Sequence, residues 1–243
     1  MTTATSPVEY QHGGKTFEGI LAIDGARAGP RPAVLISHAW AGRSPVEESY
    51  ARRLAGLGYA GFALDLYGKG VLGATTAECQ ALMSPLASNR PHLQERLLHV
   101  IDVVRSLPEV DASRVAIMGF CFGGLCALDV ARTGADVRGA ASFHGLFGAP
   151  ENTRGRKIRA KVIAFHGYDD PMVKPADVVA LGNELTDAGA DWQIHAYGGV
   201  MHAFTNPQAN DPALGTVYDK RAADRSWAAM THFLEECMAP DPS

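Results

Sequence analysis

Three short segments of this chain bring together residue types suited to attack on a carbonyl carbon. The first is Gly119-Phe120-Cys121-Phe122-Gly123-Gly124. It reads as a G-x-nucleophile-x-G elbow with cysteine in the usual serine position. A tight strand-to-helix turn lifts the central side chain, and small flanking residues let the two backbones approach. The N-terminus of the following helix favours a thiolate and a developing oxyanion. The second is Phe165-His166-Gly167-Tyr168-Asp169-Asp170-Pro171-Met172-Val173, where a carboxylate can orient an imidazole. The register H-G-x-x-D-P-x-V favours Asp170 over Asp169, and either could instead cap the helix expected near Pro175. The third is Gly198-Gly199-Val200-Met201-His202-Ala203-Phe204, which places a histidine latest in the chain. The three thus run in the chain order nucleophile, acid, histidine. Taken alone, each segment also has a plain structural use: Gly119 and Gly123 as packing glycines, Cys121 as a small buried residue, His202 as a loop histidine.

These segments must be held by strands, and the hydrophobic pattern supplies them. Val8–His12 and Phe17–Ile23 flank Gly13-Gly14 and predict a β-hairpin. The apolar runs at 33–37, 60–64, 115–119, 139–143 and 161–165 are too dense for one-sided strands. They suit a mostly parallel sheet covered on both faces. Trp192–Tyr197 adds a strand. Helix periodicity appears over 46–57, 93–107, 122–133, 176–188 and 222–237, with Leu97, Val100, Ile101 and Val104 on one stripe. The alternation predicts a single α/β domain over 1–243, with the central sheet between helices. In such sheets sites lie at strand C-termini, where all three segments fall. The stretch from Ala26 to Pro32 and the tail from Ala239 read as a loop and an end.

With 243 residues, 47% hydrophobic and 20% charged, the chain has the balance of an ordinary globular protein. A formal charge of −4 gives no electrostatic reason to bind nucleic acid or anionic membranes. No signal peptide and no membrane span are expected. The cysteines, Cys79, Cys121, Cys126 and Cys237, form no C-x-x-C pair and have no zinc spacing with histidine. They are expected as free thiols in a reducing cytoplasm. No metal, nucleotide or flavin motif is present, so no cofactor is expected. The oligomeric expectation is a monomer or small homo-oligomer.

At these motifs, and over nearly its whole length, the sequence resembles the dienelactone hydrolase family of α/β-hydrolases. The resemblance rests on G-F-C-F-G-G at 119–124, D-L-Y at 65–67, the Asp170 segment and M-H-A-F at 201–204. It implies that Cys121, with His202 and Asp170, attacks an ester or enol-lactone carbonyl and forms an acyl-enzyme that water hydrolyses. The oxyanion is expected on the amides of Phe122 and Trp40. His38, Ala39, Tyr67, Arg90 and His144 are the expected pocket residues. Tyr67 to Pro91 reads as a pocket lid or as a helix covering the sheet. The chain departs from the family pattern where Ala39 stands in place of a glutamate that restrains the resting thiol. It departs again at Asn206, where the best-known lactone hydrolases have an arginine for the substrate carboxylate. Arg90 could supply a cation instead. Two other functions stay open on this scaffold: an acyl transferase, lyase or cyclase, and an inactive binding protein.

Overall fold

The computed structural model describes residues 3–240. Their contacts group into two compact units that divide between Met118 and Gly119. Met1 and Thr2 of the N-terminal segment, and 241–243 of the tail, lie outside the described residues.

The first unit opens with β1 (Thr3–His12) and β2 (Lys15–Asp24), an antiparallel hairpin closing at His12 opposite Lys15. Gly13 and Gly14 turn it at φ 55° and 76°, the left-handed pair a two-residue hairpin requires. Both strands run further than the hydrophobic pattern indicates. The added residues of β1, Thr3–Pro7, are exposed, and with Lys15, Thr16 and Asp24 of β2 they pair in the ladder without an alternating apolar pattern to mark them. The strand order continues through β4 (Ala60–Ala63) and β3 (Arg31–Ser37) to β5 (Val110–Phe120), with β3 parallel to β4.

The loop expected to end at Pro32 ends instead at Pro30. Arg31 starts β3 as a buried side chain whose guanidinium donates to the carbonyls of Asp24, Arg27 and Gly29. Helix α1 (Pro45–Gly56) begins in a capping box between Ser44 and Glu47. The 67–91 segment contains α2 (Thr76–Ser88), also started by a capping box, Thr75 with Glu78. Helix α3 (Arg90–Arg105) buries Leu93, Leu97, Val100, Ile101 and Val104. Each such side chain removed from water contributes about 1.5–3 kcal/mol, which outweighs any propensity term in that helix.

The second unit takes the last residues of β5, Gly119 and Phe120. Helix α4 (Phe122–Arg132) follows, then β6 (Gly139–Phe143), β7 (Lys161–Gly167), α5 (Pro175–Asp187), β8 (Trp192–Tyr197) and α6 (Lys220–Cys237). Strands β6, β7 and β8 are parallel neighbours. Every residue of β6 is buried, as a strand covered on both faces must be. A small antiparallel pair, β9 (Asn210–Asp211) and β10 (Thr216–Val217), was not legible as strands because each holds only two residues. Arg132, 2% exposed, ties α4 to α5 through two bonds of 2.8 Å to Glu184. Among the described residues, no helix is long and apolar enough to cross a membrane.

Candidate active site

Cys121 is the single residue between the end of β5 at Phe120 and the start of α4 at Phe122. Its backbone sits at φ 55°, ψ −114°. A non-glycine residue in that region is strained by roughly 1–3 kcal/mol and persists only where its surroundings over-determine it. Part of that determination comes from Gly119, where a Cβ would lie 2.1 Å from the Gly123 carbonyl oxygen. Two further hydrogen bonds hold the Cys121 amide, to Phe143 O at 3.0 Å and to His144 Nδ1 at 3.2 Å. The side chain is partly exposed, unlike those of Cys79, Cys126 and Cys237. Burial raises the pKa of the Cys237 thiol to about 12 and that of Cys79 to a lesser degree.

His202 lies in the loop after β8, and its backbone is pinned on both sides. Its N–H donates to Gly215 O at 2.9 Å, and its carbonyl accepts from Val217 N–H at 3.0 Å. The β9–β10 turn is therefore the brace of the histidine loop. It also explains Gly215, whose φ is 76° and where a Cβ would lie 2.2 Å from the Pro171 ring. Sequence reasoning missed this brace, although Asp211-Pro212-Ala213-Leu214-Gly215 carries an ordinary turn signal.

Asp170 Oδ2 meets His202 Nδ1 at 2.6 Å, and its Oδ1 accepts the Met172 N–H at 2.8 Å. Both side chains are buried. Asp169 points elsewhere: it is exposed, and its carboxylate accepts from Gly199 N–H. Neither aspartate caps α5, whose first turn is closed by Asp177 accepting from Lys174 N–H at 2.8 Å. Burial alone would lower the His202 pKa. The hydrogen bond to Asp170 and the proximity of the Cys121 thiol more than offset it and raise it to about 10. Among the described residues, Nε2 has no partner in hydrogen-bond geometry. Such bonds commonly tighten only when substrate arrives.

The remaining expected residues divide between the units. His144 and Phe122 belong to the second, Phe122 as the first residue of α4 and fully buried. His38, Ala39, Trp40, Tyr67 and Arg90 belong to the first. There the His38 and Tyr67 rings meet edge-on with centroids 4.7 Å apart, and Tyr67 Oη donates to Trp40 O at 3.0 Å. His38 donates from Nδ1 to Ala39 O and accepts Leu66 N–H at Nε2, which fixes its tautomer. Arg90 opens α3 and is half-buried. The buried cation of that helix is Arg96, bound to Leu66 O at 2.6 Å and lying over the Phe17 ring.

His166 was not singled out by spacing. It is fully buried on β7 beside the Phe147 ring, neither ring nitrogen has a hydrogen-bond partner among the described residues, and burial lowers its pKa. Among the described residues, no three His, Cys, Asp or Glu side chains are grouped to hold a metal ion.

Comparison with known proteins gives the family. The family model described as "Dienelactone hydrolase family" matches residues 17–238, a span running through both units. The chain belongs to the dienelactone hydrolase family. It is a hydrolase of that family, with the α/β-hydrolase fold. A putative carboxymethylenebutenolidase of Aquifex aeolicus is 28% identical over 235 residues, 94% of this chain and 96% of that protein. An uncharacterized Caenorhabditis elegans protein, K02A2.1, is 35% identical over 150 residues, 60% of this chain and 95% of its own. Among solved structures, the dienelactone hydrolase-like promiscuous phosphotriesterase P91 from metagenomic libraries is 33% identical. It superposes with a TM-score of 0.92, covering 98% of this chain and 99% of that one.

Proposed function

We propose that this dienelactone hydrolase family member cleaves a carboxylic ester or lactone through a covalent Cys121 acyl-enzyme, with His202 and Asp170 completing the triad. The observation that carries the reading is the 2.6 Å bond between Asp170 and His202, joined with the raised imidazole pKa to which the Cys121 thiol contributes. An imidazole held charged beside a thiol is the arrangement that makes a thiolate at neutral pH.

In the first half-reaction His202 Nε2 takes the Cys121 proton, while Asp170 holds Nδ1–H and stabilises the imidazolium. The thiolate forms a bond to the carbonyl carbon, and the carbonyl electron pair moves onto oxygen. The Phe122 amide, first in helix α4, donates to that oxyanion. Collapse breaks the carbon–oxygen bond, and His202 passes its proton to the leaving alkoxide. Water then attacks the thioester with His202 as base, and the carbon–sulfur bond breaks to return the thiolate.

The first test is hydrolysis of a short p-nitrophenyl ester series by the wild type and by Cys121→Ala. Loss of turnover in the variant is the expected result; equal rates would remove Cys121 as nucleophile. Incorporation of one solvent oxygen-18 into the acid product separates hydrolysis from acyl transfer. Limited iodoacetamide should label Cys121 first, since Cys79, Cys126 and Cys237 are buried.

A further inference from the structure

The amide of the nucleophile has a side chain as one of its partners, and that side chain is a histidine. A backbone N–H can only donate, so His144 Nδ1, 3.2 Å from Cys121 N, carries a lone pair. In a neutral imidazole the proton then sits on Nε2. That nitrogen lies 2.8 Å from Thr205 Oγ1, which accepts it. His144 is 3% exposed, and burial, followed by the neighbouring charge of His202, holds its pKa well below the ordinary imidazole range. The ring is therefore neutral and restricted to one tautomer.

Its position links two catalytic loops. His144 follows β6, and Thr205 stands in the same loop as His202. The His144 and His202 rings meet at 64° with centroids 5.1 Å apart. The backbone of His144 is at φ 39°, which an L-residue adopts only under constraint. Its own N–H closes the β6–β7 ladder on Phe165 O at 2.8 Å. A phenyl ring could fill this space, but it would leave the bonds to Cys121 and Thr205 unmade.

We propose that His144, held in its Nε2–H form by Thr205, is a positioning residue that fixes the elbow amide of Cys121 relative to the loop carrying His202. This rests on the triad reading above. Two alternatives show why the tautomer matters. An Nδ1–H would face the Cys121 N–H as one donor against another. An imidazolium would set a second positive charge against that of His202. The Cys121 N–H requires the lone pair at Nδ1, and Thr205 accepts the Nε2–H that this leaves.

The test uses the full chain with Thr205→Val, which keeps the shape and removes the acceptor, and Thr205→Ser, which keeps the hydroxyl. Loss of one buried hydrogen bond predicts a kcat for Thr205→Val lower by about tenfold, with KM within about twofold of wild type. Thr205→Ser should recover most of that loss. Long-range proton–nitrogen-15 spectra should show His144 protonated at Nε2 alone in wild type and in Thr205→Ser, and a mixture of tautomers in Thr205→Val. His144→Asn is the second variant, because asparagine tolerates positive φ and still offers an acceptor near Cys121. It should fold, turn over slowly, and respond little to a further Thr205→Val change.

A wild-type His144 protonated at Nδ1, or wild-type kcat in Thr205→Val, would overturn the positioning role. If that occurs while Cys121→Ala is inactive, only this proposal fails. Full activity in Cys121→Ala would remove the triad reading and this proposal together.

Discussion

The two units differ in where they place residues in left-handed backbone. In the first, every described residue with positive φ is a glycine, among them Gly13, Gly14, Gly42 and Gly58. The second adds three residues with side chains, Cys121 at 55°, His144 at 39° and Ala203 at 57°. Cys121 is the proposed nucleophile, His144 bonds its amide, and Ala203 follows His202. Where only a turn is needed, the chain uses the residue that turns without strain. Where a side chain must be presented at a particular angle, strain is retained and hydrogen bonds hold it.

Substitutions can break this comparison. Cys121→Ala removes the proposed nucleophile and is expected to lower ester turnover at least about a thousandfold while the protein stays folded. Retained activity with a normal melting curve would mean the strained residue does not serve catalysis.

Gly119→Ala and Gly61→Ala set equal steric insults in the two units. The added Cβ would lie 2.1 Å from Gly123 O in one case and 2.3 Å from Ala51 O in the other. Each should cost about 1–3 kcal/mol of stability through overpacking. Only Gly119→Ala should lower kcat of the fraction that remains folded. Equal kcat losses in both would show that strain at the elbow has no special catalytic weight.

The pH dependence of stability sharpens the same contrast. The His202 pKa is raised from 6.5 to about 10, so the charged ring favours the folded state. That contribution is complete below pH 6.5 and is lost as pH rises through about 10. Denaturant titrations should show wild type losing its advantage over His202→Gln across that window. A constant difference would place the proton elsewhere.

The smallest effects are expected from exchanging glycine and alanine at the turns. Gly13→Ala should cost about 1 kcal/mol, because φ 55° in an open turn tolerates Cβ poorly. Ala203→Gly should add about 0.5 kcal/mol of stability while lowering kcat, since it relaxes the backbone beside His202. A gain in both quantities would argue that strain at Ala203 has no role in holding the histidine.

Much of the fold was legible because burial leaves a dense apolar signature. Gly139–Phe143 and Trp192–Tyr197 are strands over the expected residues, and the five expected helices shift by only a few positions at their ends. The extra length of β1 and the two-residue strands β9 and β10 were not legible, because two residues cannot show a period and the exposed start of β1 has no alternating apolar pattern. In the site region, spacing pointed to Cys121, Asp170 and His202. It could not show His144 bonded to the Cys121 amide, Thr205 bonded to His144, or Gly215 pressed against Pro171. Those contacts join residues far apart in the chain and follow no local rule.

By itself, the sequence determined the class of chemistry and the strands that carry it, since both are written in local residue types and their periods. Only the tertiary structure showed which of Asp169 and Asp170 meets His202, and it did so by direction. Adjacent residues in a turn point to different places, so one carboxylate reaches His202 at 2.6 Å while its neighbour accepts from Gly199. The tautomer of His144 was decided in the same way, by which donors and acceptors the folded chain brings to each ring nitrogen.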